Sequence, residues 1–331
     1  MNPIHIKQAK ILTALLMAML ALQPSSVVQA ATDPEICTWK NDAKAALSFT
    51  FDDGFVDHFT LAGPMLEKHG LRGTFFIVVN WIGKGNHLTW EQVKSLSERG
   101  HEIGSHSMRH WNLVTSSDNG DLVNLEKEIV DPIGIIKEKI GVSPVTFAYP
   151  LNARNPQVQA MVEQHYIASR LHDMGYDGTK FTLESANLKI DSLIAKGGSG
   201  VVLIHGIDPA VKGYKPYNDP ALLDQHFAYV KSREKDLWVD TFANVTRYQL
   251  TAAACEVKPL KNTPGLMEFE LIGKEPNKPE KNAPLTIRID RPKAVEAKQG
   301  DRKLQLRSEG NATLCCEVLP NAGPVQVSFT P

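Results

Sequence analysis

No sign of charge dominates this chain: 36 lysines and arginines stand against 37 aspartates and glutamates, for a formal net charge of −1. That balance leaves no strongly basic surface for nucleic acid or an anionic membrane. Long apolar runs are also missing. The stretch Ile11 to Leu22 falls short of the roughly 20 residues that a spanning helix needs. There is no internal repeat or low-complexity tract, which excludes a solenoid or an array. Cysteine is scarce, with four in 331 residues. What remains is a length suited to one sizeable α/β domain plus a small additional one.

The first thirty residues read as a processing signal. Lys7 and Lys10 precede the apolar stretch, Gln23-Pro24-Ser25-Ser26 ends it, and Val28-Gln29-Ala30 has the small-x-small form of a cleavage site. The expectation is a signal peptide over 1–30, a mature chain beginning near Ala31, and a secreted or periplasmic protein. In an oxidising compartment Cys37, Cys255, Cys315 and Cys316 suggest disulfides rather than a metal cluster. Neighbours on a strand point to opposite faces, so a Cys315–Cys316 bond would be strained. Cys37 and Cys255 flank the motif-bearing region and are the expected pair.

From Ala45 onward, apolar strand-like runs alternate with helical stretches. Strands are expected at Ala45 to Phe51, Gly73 to Val79, His101 to Gly104, Val145 to Tyr149, Tyr166 to Leu171, Leu188 to Ile190, Gly200 to Ile204 and Leu237 to Asp240. Helices are expected at Phe59 to His69, Trp90 to Arg99, Leu122 to Ile140, Asn155 to His165, Pro220 to Ser232 and Phe242 to Leu250. Such alternation implies a parallel sheet. After about Thr251 the period drops to two, as in Met267, Phe269, Leu271 and in Leu285, Ile287, Ile289. Five such runs read as a small antiparallel β-domain over 251–331, following a catalytic part over 31–250. That β-domain has no tryptophan, which weighs against carbohydrate binding there.

The chemistry gathers at strand ends. Asp52 and Asp53 close an apolar run before Gly54, and His106 and His110 follow another such run at i and i+4. Where the chain turns, both carboxylates can reach one cavity, and the two histidines share a face if their segment is helical or tightly turned. One Asp and two His make three ligands for a metal with an open position, and the spare carboxylate is a ready general base. Tyr149 and His205 also end strands. All of these positions suit the C-terminal rim of a (β/α) barrel.

Read together, Thr50-Phe51-Asp52-Asp53-Gly54, His106-Ser107-Met108-Arg109-His110, Phe147-Ala148-Tyr149-Pro150 and Leu203-Ile204-His205-Gly206 resemble, in order, motifs of the polysaccharide deacetylase family (carbohydrate esterase family four). The resemblance covers roughly 42 to 250. It implies a distorted, incomplete (β/α) barrel in which Asp53, His106 and His110 hold a divalent metal, zinc first, with cobalt or nickel as substitutes. It also implies Asp52 as base, a backbone N–H at Tyr149 for the oxyanion, and His205 as acid. Pro150 and Trp111 are candidate substrate contacts, Trp81 a further sugar-stacking surface, and Ser107 a brace for the histidine loop. The family's third motif often opens with an arginine, and its fourth supplies an aspartate beside tryptophan. Here the nearest arginines are Arg154 and Arg170, and Asp191, which lacks the tryptophan, only weakly matches that fourth motif. The implied activity is removal of acetyl groups from an N-acetylated glycan, chitin-like or of the cell wall. Alternatives are an O-acetyl esterase on a polysaccharide such as xylan, a hydrolase of cyclic imides or ureides, or an inactive glycan-binding protein. The implied partner is an acetylated glycan; the motifs leave the oligomeric state open.

Overall fold

The computed structural model describes residues 33–115, 123–176, 182–208, 219–274, 283–291, 293–309 and 313–330. The signal expected at 1–30 and Leu122 lie outside the described residues. Asp33–Pro331 is one compact unit. No helix among the described residues is long and apolar enough to cross a membrane.

After a two-residue strand β1 (Glu35–Ile36) comes β2 (Ala45–Asp53), the axis of the catalytic part. All nine residues of β2 are buried, as expected for a parallel strand covered on both faces. Phe49 and Phe51 are fully enclosed, each contributing about 1.5–3 kcal/mol by burial. A π-helical turn, His58–Ala62, runs into α1 (Gly63–Lys68). Then follow β3 (Thr74–Ile77), α2 (Trp90–Glu98), β4 (Glu102–Ser105), α3 (Asp131–Ile140), β5 (Thr146–Ala148), α4 (Pro156–His165) and β6 (Ala168–Arg170). The part closes with α5 (Leu183–Lys196), β7 (Gly198–Ile204), α6 (Pro220–Ser232), β8 (Leu237–Val239) and α7 (Phe242–Ala254). Local chemistry sets several starts: Thr89 and Gln92 form a capping box on α2, and Asn155 caps α4 ahead of Pro156.

These strands form one parallel sheet in the order β6-β5-β4-β3-β2-β7, with β8 beside the first half of β2 and β3 beside the second. β6 and β7 lie at opposite ends of that order, so the sheet curls into an open barrel, as the sequence leads one to expect. Gly104 lets β4 approach closely: a Cβ there would stand 2.5 Å from the Phe76 ring. One element differs from expectation. Leu188 to Ile190 lies inside α5, whose Thr182–Ser185 capping box and buried Ala186 and Ile190 give it helical period.

The C-terminal part has more strands than the five expected: β9 (Cys255–Asn262), β10 (Leu266–Gly273), β11 (Leu285–Ile289), β12 (Ala294–Gln299), β13 (Arg302–Leu304), β14 (Arg307–Glu309), β15 (Thr313–Val318) and β16 (Val325–Phe329). They form two antiparallel sheets, β1-β11-β15-β14 and β13-β12-β16-β10-β9. β1 pairs with β11, so residues 35–36 join the C-terminal sheet across the chain. The core between the sheets, with Phe269, Ile287, Cys316 and Val327, continues into Trp39, Trp238 and Tyr248 of the catalytic part. No disulfide joins the four described cysteines. The Cys37 side chain meets Cys315 rather than the expected Cys255.

Candidate active site

β2 delivers Asp52 and Asp53 to the C-terminal rim. Asp53 adopts φ 76° and Gly54 follows at 73°. Left-handed backbone at a non-glycine residue costs about 1–3 kcal/mol. Here it swings two successive carboxylates, which a straight strand would point apart, toward one cavity. Ser107 at 68° and His110 at 62° carry similar strain in the loop after β4. That loop is tightly turned and not helical. The His110 N–H donates to Ser107 Oγ at 2.9 Å, so Ser107 does brace the loop.

Asp53 Oδ1 lies 3.5 Å from His106 Nε2 and 3.4 Å from His110 Nε2. These are long for hydrogen bonds, and Asp53 Oδ1 is buried without a hydrogen-bond partner. Ligand atoms about 2.0–2.2 Å from a tetrahedral ion stand about 3.4 Å apart, so the three side chains have the spacing of a shared cation. The His106 Nδ1 bonds the Ala148 carbonyl at 2.8 Å. A carbonyl only accepts, so Nδ1 carries the proton and Nε2 presents its lone pair. Burial is the main cause that lowers the His106 pKa to about 4, and it lowers His110 as well. Burial, then the charge of Asp52, raises Asp53 to about 7. Two neutral imidazoles and a carboxylate awaiting a counter-charge fit a divalent metal.

Asp52 is set differently. Burial would raise its pKa, but the Arg170 guanidinium, followed by His106, holds it well below the usual carboxylate range. Arg170 donates through Nη1 to Asp52 Oδ1 at 2.6 Å and through Nη2 to Oδ2, and its Nη1 also reaches Thr50 Oγ1 at 2.9 Å. This bidentate pair supplies the function for which the third motif has no arginine. Arg170 comes from β6, at the far end of the sheet, and reaches β2 across the barrel.

His205 follows β7. Its carbonyl accepts from His58 Nε2 at 2.8 Å, and Asp57 Oδ2 accepts the N–H groups of Ile207 at 2.5 Å and Asp208 at 2.8 Å. Asp57 and His58 thus anchor the backbone around His205. Burial lowers the His205 pKa; the Asp52 charge opposes that, the Arg170 guanidinium adds to it, and the Asp173 charge opposes it more weakly than Asp52. Asp191 sits on α5, where both oxygens accept from Tyr229 Oη at 2.7 Å and Arg233 lies 3.2 Å away. It braces α5 against α6 and takes no part in the site.

Tyr149 follows β5 with its ring buried among Phe147, Val158 and Tyr166, and buried Pro150 starts the next turn. The Trp111 ring carries the Arg109 guanidinium on one face at 4.0 Å, and the Trp81 ring packs on His110 with centroids 5.0 Å apart. Glu128, fully buried, is a further residue that the motifs do not contain. Its carboxylate accepts from the Arg109 N–H at 3.0 Å and from Arg109 Nε at 2.6 Å, and its carbonyl accepts from the Met108 N–H. It fixes the middle of the histidine loop from the α3 side.

An open (β/α) barrel with a carboxylate–histidine triad and an arginine-clamped acid on its rim has the arrangement of a hydrolase that works on acyl groups. Residues 40–168 match the polysaccharide deacetylase family, so this stretch of the chain carries a domain of that kind. It is 27% identical over 180 residues to the peptidoglycan-N-acetylglucosamine deacetylase PgdA of Listeria monocytogenes, covering 53% of this chain and 34% of that protein. It is 29% identical over 171 residues to a gellan lyase of a Bacillus species, covering 50% of this chain and 6% of the lyase. Among solved structures, a family 4 acetyl xylan esterase from Clostridium thermocellum in complex with a cobalt ion superposes with a TM-score of 0.45. That match has 22% identity and covers 60% of this chain and 89% of the esterase. The chain thus spans a third or less of the length of these two curated relatives.

Proposed function

We propose that this protein is an exported, metal-dependent deacetylase of an N-acetylated glycan. The observation that carries the reading is the division of labour between neighbouring aspartates: Asp53 faces two imidazole nitrogens with no hydrogen-bond partner, while Asp52 is clamped and ionised beside them. Asp53, His106 and His110 would hold a divalent cation, zinc first, which when bound supplies Lewis-acid charge to the acyl carbonyl and the attacking water. Asp52 accepts the proton of that water. Arg170 occupies one lone pair on each Asp52 oxygen, and a carboxylate has about four such sites, so acceptor capacity remains. The Tyr149 backbone N–H would donate to the oxyanion. His205 gives a proton to the departing nitrogen, with the Asp52 charge the main one favouring its imidazolium against burial and Arg170.

The test is acetate release from a panel of N-acetylated and O-acetylated glycans, with and without chelator. Release from an N-acetylated glycan should be abolished by chelation and partly restored by zinc, cobalt or nickel. Release confined to O-acetylated xylan would move the activity to ester hydrolysis, and binding without release would leave a glycan-binding protein. Export has its own check: N-terminal sequencing of the cell-envelope or medium fraction should begin near Ala31, and an intact Met1 in a cytoplasmic protein would contradict it.

A further inference from the structure

Away from the rim, the face of the β1-β11-β15-β14 sheet turned away from the sandwich core is crossed by residues 37–43. Cys37, whose N–H donates to the Thr286 carbonyl at 2.9 Å, lies on one side of β11, and Cys315, paired with Arg288, lies on the other. Both are buried. Asn41 and Asp42 hold left-handed φ values of 63° and 56°, which folds the Asp42 carboxylate back toward the two sulfurs. The Cys37 and Cys315 sulfurs and an Asp42 oxygen all lie within 4.8 Å of one another. Arg288, opposite Cys315 on β11, is met by three acids: Glu35 at 2.6 Å, Asp290 at 3.6 Å and Asp42 at 3.8 Å. Arg307 stands opposite Cys315 on β14. Lys40 and Arg307 turn instead to Glu317.

We propose that Cys37, Asp42 and Cys315 form a second metal site, separate from the catalytic triad, that takes a thiophilic divalent cation of the zinc class and clamps the N-terminal segment to β15. The sequence leads one to expect disulfides among the four cysteines, but Cys37 and Cys315 are both free thiols whose sulfurs approach within 4.8 Å without bonding. A cation bonded to two sulfurs at about 2.3 Å bridges that gap, since it holds them about 3.8 Å apart. Without a cation, the neighbouring Cys315 side chain, burial and the Asp42 charge all disfavour the Cys37 thiolate. With one, both thiols release their protons, so binding weakens as pH falls. The position suits a structural role: Tyr248 of α7 donates to the Cys37 carbonyl at 2.9 Å and accepts from the Thr286 N–H, so the clamp reinforces the seam between the two parts of the chain.

Cobalt(II) is the probe. Added to the full chain after metal removal under reducing conditions, it should give a near-ultraviolet thiolate-to-cobalt charge-transfer band, which the sulfur-free triad of Asp53, His106 and His110 cannot produce. The band should survive in His106→Ala and Cys255→Ser and disappear in Cys37→Ser and Cys315→Ser. Asp42→Asn keeps both sulfurs and should bind cobalt more weakly, which provides a measurement if a serine variant fails to fold. Absence of the band in the wild-type chain, or its persistence in Cys37→Ser, would overturn the proposal. So would a Cys37–Cys315 linked peptide from non-reducing digestion of the protein as isolated.

Discussion

Asp52→Asn is expected to keep its metal and lose about 10²–10⁴ in hydrolysis rate, while Asp53→Asn loses metal and rate together. Both substitutions are nearly isosteric and act at adjacent positions of one strand, so packing changes should be comparable and the difference chemical. Asp53 Oδ1 is 3.4–3.5 Å from both imidazole Nε2 atoms and has no hydrogen bond, so it is free to coordinate. Both Asp52 oxygens are engaged by Arg170, and Oδ2 is 3.7 Å from His106 Nε2, so Asp52 flanks the triad with its oxygens already held. An asparagine at 52 can still hydrogen-bond but cannot accept the proton at neutral pH. Metal content by elemental analysis, beside the rate for each variant, reads both effects. If Asp52→Asn emptied the site while Asp53→Asn stayed loaded, the two roles would be exchanged.

The part of this site that was legible in sequence is the part contained in contiguous text. Asp52, Asp53, His106 and His110 lie within two short strand-to-loop segments whose side-chain order already encodes their geometry. The tight turn that was one condition for the two histidines to meet is supplied by left-handed Ser107 and His110. Arg170 could not be found that way, because it sits 118 residues from Asp52 and meets it only when the sheet curls. Asp173, three residues beyond Arg170, depends on the same curling to act on His205. Glu128 was hidden among the acids of an amphipathic helix, where a solvated position is the ordinary expectation. Asp191 lies away from these residues because Leu188 to Ile190, apolar enough to suggest a strand, belongs to the helix over 183–196 that the Thr182–Ser185 capping box starts.

In the C-terminal part, alternating apolar runs announced the strands that face the sandwich core. β9 is mostly exposed and rich in lysine, and β12 is only half buried, so neither carries a strong period of two. β1 is two residues long, too short for any pattern. Its pairing with β11 is a tertiary fact, as is the meeting of Cys37 with Cys315 that follows from it.

Arg170→Met should be the most damaging single change at the site that replaces neither a metal ligand nor the base. It leaves the Asp52 carboxylate buried, with its bidentate partner replaced by an apolar chain of similar length. Breaking a buried pair by removing one partner costs about 3–5 kcal/mol at neutral pH, against a total stability of about 5–15 kcal/mol. The sign of the pH dependence identifies the cause. In the wild type Asp52 has a folded pKa below its unfolded value, so the pair stabilises the protein above the unfolded carboxylate range, and that contribution is lost as the solution turns acid. In the variant, burial acts without the guanidinium and moves the Asp52 pKa upward. The stability gap between the two proteins should therefore be widest near neutrality and narrow in acid, as followed by denaturant unfolding of metal-stripped samples. The acid limb of the rate profile should move to higher pH in the loaded variant, because Asp52 must lose a more tightly held proton before it can act as base. Arg170→Lys keeps the charge but not the fork, and should recover stability better than it recovers rate. An Arg170→Met protein with wild-type stability at neutral pH and an unmoved acid limb would show that Asp52 does not depend on this arginine for its charge.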